Sequence, residues 1–160
     1  MDDIDDAIGF PRGNADEREL LLNWLRYLRG AVIRNVDGLD DAAARWRPDG
    51  RLVPLLDILH HLTGVETRWI DAGFLGQDVA RPDDELLDVS RLTVARTVAA
   101  YRARAEATER VVRTLPLDTP HPYGPNVDLR WVLLHLINET ARHAGHADAV
   151  RELLDGTTGE

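Results

Sequence analysis

Four long segments in which apolar residues recur every three or four positions, parted by breaks rich in Gly and Pro, run through this sequence and specify an all-helical domain. The first covers about residues 14–36. Asn14 is placed to cap it, Glu17 stands three residues on as in a capping box, and Leu20, Leu21, Trp24, Leu25, Leu28 and Val32 share one face. Gly38 ends it, and a short helical turn is expected from Asp40 to Trp46, before the break Arg47-Pro48-Asp49-Gly50. The second segment, about 53–74, carries Leu55, Leu56, Ile58, Leu59, Leu62, Val65, Trp69 and Ile70, and it accepts Pro54 in its first turn.

After the acidic stretch Arg81 to Asp88, Ser90 or Thr93 is expected to cap a third helix over about 93–114, closed by Pro116. The loop Pro120-His121-Pro122-Tyr123-Gly124-Pro125 excludes regular structure. Asn126 or Asp128 then caps a fourth helix over about 128–154, with Gly156 placed just past its end. Four such helices pack naturally as a bundle, and with no repeat, linker or low-complexity tract, residues 1–160 read as one domain.

Composition limits what this domain can do. At 160 residues and 44% hydrophobic content the chain can bury roughly two-thirds of its unfolded surface around one core. It contains no cysteine, so any metal must be held by nitrogen and oxygen. A net charge of −9, from 28 acidic against 19 basic residues, argues against a phosphate-binding surface and hence against nucleic acid as a partner. No apolar run approaches the ~20 residues of a membrane helix. The opening MDDIDDAIGF lacks the basic and apolar regions of a signal peptide, so the expected compartment is the cytoplasm, with no membrane partner.

The chemistry sits in the fourth segment, LRWVLLHLINETARHAGHADAVRELLDG, where His135, Glu139, Arg142, His143 and His146 are spaced by three or four residues. At about 100° per residue, with His135 at zero, His146 falls near 20°, Glu139 near 40° and His143 near 80°, while the main apolar arc begins near 100°. Glu139 and His143 thus border the core one turn apart, where a carboxylate and an imidazole can reach one ion together. On the second segment the same arithmetic sets His61 at the edge of the apolar arc and turns His60 toward water. His61, Glu139 and His143 form a two-histidine, one-carboxylate set that suits zinc, or nickel, manganese or iron, and leaves coordination positions open. A solvated stripe with an ion pair between Glu139 and His143 leaves the same trace, so spacing alone keeps both readings open. His146 and His135 lie one turn to either side as candidate outer partners. Trp46, Trp69 and Trp131 are either core or the mouth of a pocket, and Glu66, about 140° from His61, is expected to bond a buried donor.

The segment HHLTGVETRW, followed much later by LRWVLLHLINETARHAGHADAVRELLDG, resembles the DinB-like superfamily, specifically its actinobacterial mini-circle-protein branch, related to mycothiol-dependent maleylpyruvate isomerase. The resemblance extends from the Trp24 helix to Gly156, and RHAGHAD at 142–148 is its most specific part. It implies a four-helix bundle in up-down-down-up order whose metal is held by a histidine of the second helix and an HxxxH pair on the last. Here that pair reads Glu139 and His143. It further implies a metal-dependent S-transferase that uses a low-molecular-weight thiol such as mycothiol on a small electrophilic substrate, and a homodimer. A non-catalytic metal-binding or dimeric bundle, and a metal-dependent hydrolase using the same ligands, are the alternatives; no catalytic residue beyond the ligands is indicated.

Overall fold

The computed structural model describes residues 10–13, 16–79 and 89–159. Its helices are α1 (Glu17–Arg34), α2 (Asp41–Ala44), α3 (Leu55–Thr67), α4 (Val94–Thr114) and α5 (Leu129–Asp155). A π-helical turn, Arg68–Ala72, continues α3, and 3-10 turns occupy Pro48–Gly50 and Val89–Arg91. Among the described residues there is no strand, only a single bridge between Pro120 and Asp128. The protein is all-α.

Local chemistry sets the helix ends. The Asp16 carboxylate accepts from the Glu19 N–H at 3.0 Å and opens α1. Asn14, the expected cap, lies outside the described residues, as does the acidic stretch Arg81 to Asp88. Thr93 rather than Ser90 caps α4, because Ser90 is taken up by the preceding 3-10 turn. Asp128 rather than Asn126 caps α5: Asn126 adopts φ 65°, the left-handed conformation that asparagine tolerates, and thereby aims the chain into the helix. Gly156, at φ 82°, ends α5 as a C-cap.

The long helices share a core built around Leu22, Leu25, Leu59, Leu62, Tyr101 and Leu133, all buried. Arg130 pairs with Glu17 at one end of α1, and Asn35 donates to Asp148 at 2.8 Å beyond the other, so α1 and α5 run parallel. His61 faces Glu139 and Trp69 faces Trp131, which sets α3 antiparallel to α5. Glu19 with Arg113 and Arg26 with Glu109 set α4 antiparallel to α1.

The apolar interior falls into two clusters, one toward each end of the bundle. On α1, α4 and α5 the buried polar residues Arg29, Thr108 and Thr140 fall between them. Arg29 holds Glu66 with two parallel bonds, Nε to Oε1 at 2.8 Å and Nη2 to Oε2 at 2.6 Å. Thr108 donates to the same Oε2 at 2.7 Å, and Arg104 bridges Thr108 to Asp71. The buried donor expected opposite Glu66 is therefore Arg29. With both charges buried, the pair must supply each other's solvation.

Candidate metal centre

α3 and α5 meet along a groove to which each contributes at one-turn intervals. Residues four apart on α5 rise about 6 Å along its axis, so Trp131, His135, Glu139 and His143 form one column. His61 reaches this column from α3. Its Nε2 lies 3.1 Å from Glu139 Oε1, and the His143 Nε2 lies 3.2 Å from that same oxygen. One ligating atom from each of the three residues lies within 4.8 Å of the other two, and the two imidazole centroids are 4.7 Å apart.

Atoms that are each 2.0–2.2 Å from a common ion stand roughly 2.8–3.6 Å apart at octahedral or tetrahedral angles. The two carboxylate-to-imidazole separations fall in that range, and rotation of side chains alone can adjust the third. Two imidazole nitrogens and a carboxylate oxygen thus fit a divalent first-row ion. Access is available as well: 42% of the His61 side chain is exposed, against 21% for Glu139 and 26% for His143. His61 is thus more open than the core-edge position expected from the sequence, since it leans across the groove instead of inward. His60 is exposed and takes no part in the group.

The protonation states suit ligation. Burial favours the neutral Glu139 carboxyl, but the hydrogen bond from His61 and the charges of His143 and His61 outweigh it and hold the group below the usual carboxylate range. Burial, joined by repulsion from His61, pushes His143 below the usual imidazole range against the attraction of Glu139. Both shifts favour the deprotonated forms, the ones in which a carboxylate and an imidazole bind a metal.

A family model described as mycothiol-S-transferase matches residues 20–156, which takes in α3, α4 and α5, all but the first three residues of α1, and all three donors. The chain belongs to the mycothiol-S-transferase family. No curated protein matches it.

In this mycothiol-S-transferase-family member, the flanking histidines take different positions. His146 stacks near-parallel to His143, with centroids 6.4 Å apart, outside the group of converging ligand atoms. Its Nε2 and the Nδ1 of His143 are both buried without a hydrogen-bond partner among the described residues. His135 stacks on Trp131 at 5.3 Å and 12°, and packs against Trp69 at 4.7 Å, so its contacts are those of a packing residue. Trp69 and Trp131 line the groove, whereas Trp46, just after α2, makes no ring contact with them among the described residues. Arg142 is exposed.

Sequence reasoning passed over His121 as part of an irregular loop. Its ring is buried against the π-helical turn, where the Gly73 N–H bonds the Ile70 carbonyl and the Trp69 carbonyl faces His121 Nε2 at 3.0 Å. His121 Nδ1 meets the Tyr123 backbone N–H at 3.1 Å. A carbonyl only accepts and an amide N–H only donates, so the ring must carry its proton on Nε2. One neutral imidazole thereby ties the loop before α5 to the end of α3. The contact also requires glycine at 73, because a Cβ there would lie 1.8 Å from His121 Nε2. Gly73→Ala is expected to expel the imidazole and lower stability by about 1–3 kcal/mol, the cost of unpairing buried polar groups. Denaturant unfolding reads this directly, and an unchanged midpoint would show that the latch contributes nothing.

Proposed function

We propose that the chain is a metal-dependent S-transferase in which His61, Glu139 and His143 hold one divalent ion, zinc first among the candidates, in the groove between α3 and α5. A low-molecular-weight thiol, mycothiol in a family so named, is the sulfur donor, and a small electrophile is the acceptor. What carries the proposal is the approach of two Nε2 atoms to one Glu139 oxygen at 3.1 and 3.2 Å. When bound, the ion supplies a large local charge that favours the thiolate form of a coordinated thiol at neutral pH.

The chain's own part is to arrange this chemistry. Glu139 and His143 are fixed one turn apart on α5, and α3 brings His61 across to complete the set. The exposed edge of His61 leaves the solvent side of the group open to reactants. In the reaction, a carbon–sulfur bond forms on the electrophile while the thiol proton leaves with the displaced group or adds elsewhere on the acceptor.

No described helix is long and apolar enough to cross a membrane. A cytoplasmic location follows from the use of a cellular thiol, and a homodimeric state from likeness to DinB-like bundles; both belong to the proposal. Mycothiol consumption should be followed with a panel of electrophiles, using metal-stripped protein before and after zinc is restored. The expected result is thiol loss well above the uncatalysed rate only with the ion present. Equal rates in both forms, or hydrolysis of the electrophile without thiol consumption, would refute the assignment.

A further inference from the structure

Beyond the ligand set, the same groove carries a second group of side chains. Besides His121, at 5.1 Å, Trp69 of the π-helical turn touches three further rings: Tyr123 at 5.0 Å, Trp131 at 5.5 Å and His135 at 4.7 Å between centroids. These three are close to parallel, since Trp131 lies 12° from His135 and 21° from Tyr123. They are not simply core. Tyr123 is 70% exposed and Trp131 39% exposed, an open aromatic surface on a chain in which aromatic residues make up only 6%.

Position and order point the same way. Trp131 and His135 occupy the column that continues into Glu139 and His143, so the aromatic wall begins about one helical turn, ~6 Å, from the ligand set. On the facing helix Trp69 follows His61 by eight residues and lines the same side. The backbone that carries two of these rings is tied together: His121 bonds the Trp69 carbonyl with one ring nitrogen and the Tyr123 N–H with the other. Backbone tied beforehand loses less freedom on binding. No Asp, Glu, Lys or Arg belongs to the cluster, so the surface presents flat ring faces that suit a flat, uncharged partner.

We propose that Trp69, Tyr123, Trp131 and His135 form a subsite for a planar, uncharged π-system. On the proposed function, this is the aryl or conjugated skeleton of the electrophile, stacked so that its reactive carbon is directed toward the ligand set. The binding claim itself needs no metal and can be tested separately.

The probe is meta-dinitrobenzene, flat and without a leaving group, titrated by ligand-observed NMR against the full chain, with cyclohexanone as a saturated ring of similar size. The wild-type protein should bind the dinitrobenzene and not the ketone. Trp131→Ala should weaken binding about tenfold and Tyr123→Ala about threefold, while Trp131→Phe stays closer to wild type. Zinc content of all three variants should match wild type, because the ligand set is intact. Platform-dependent binding by a wild-type protein that takes up no metal would support the subsite and refute the proposed function alone. The subsite is overturned if dinitrobenzene does not bind, if both alanine variants bind it unchanged, or if cyclohexanone binds as tightly. A dimer that dissociates in Trp131→Ala, with dinitrobenzene binding unaltered, would overturn it in favour of an interface between copies.

Discussion

Glu66→Ala should destabilise the bundle by about 3–5 kcal/mol, a large share of the ~5–15 kcal/mol that holds a domain of this size together. The substitution leaves the Arg29 guanidinium in the interior without the two bonds that replace its hydration, and Thr108 loses its acceptor. Arg29 cannot escape by giving up its proton, because no physiological pH deprotonates a guanidinium. Nor does the Glu109 carboxylate, 3.6 Å from Arg29 Nη1, substitute for a bidentate partner, since it is already engaged by Arg26. Replacing both charges with apolar residues of similar volume, Arg29→Met with Glu66→Leu, should recover most of the loss. Urea unfolding of the single and double variants measures this, and a loss below about 1 kcal/mol for Glu66→Ala would show that the pair is solvated rather than mutually dependent.

How far such features were legible in the sequence depended on the reach of the signal. The α5 end was readable, and the α4 and α5 starts to within two alternatives each, because caps are local: Thr93, Asp128 and Gly156 act on backbone within a turn. The choice between Asn126 and Asp128 was not, because either side chain can cap and only the left-handed turn at Asn126 decides it. The α3 register placed His61 at the core edge and turned His60 toward water; in the structure both are exposed, and it is His61 that meets Glu139 while His60 stays outside the group. Pairings across the bundle left no local trace. Glu66 was expected to bond a buried donor, but that donor, Arg29, stands 37 positions away and by itself looks like an ordinary helix residue. The π-helical turn and the Gly73–His121 approach were equally hidden: both arise from packing the loop before α5 onto the end of α3, which no periodicity encodes.

The second large effect concerns the ligand set. His61→Ala or His143→Ala should weaken zinc binding by more than the ~10–100-fold that loss of an outer partner costs a metal site, because a direct donor disappears. His60→Ala should bind as wild type, since that ring stays outside the group. Helix content should be unchanged in all three: His60 and His61 are exposed, His143 is only half-buried, and none belongs to the buried network around Arg29. The contrast between neighbouring positions 60 and 61 guards against attributing a general loss of histidine to a specific site. Equal losses at both would mean that the stripe on α5 is a solvated surface with an ordinary ion pair.

The proposed chemistry requires that the three donors close on one ion. The most direct measurement is equilibrium zinc titration of the metal-stripped full-length chain with a competing chelator, counting bound metal per chain. The expected result is one equivalent per chain for wild type and none for the triple variant His61→Ala, Glu139→Ala, His143→Ala; a wild-type chain that takes up no zinc, or a triple variant that still takes up one equivalent, would contradict it.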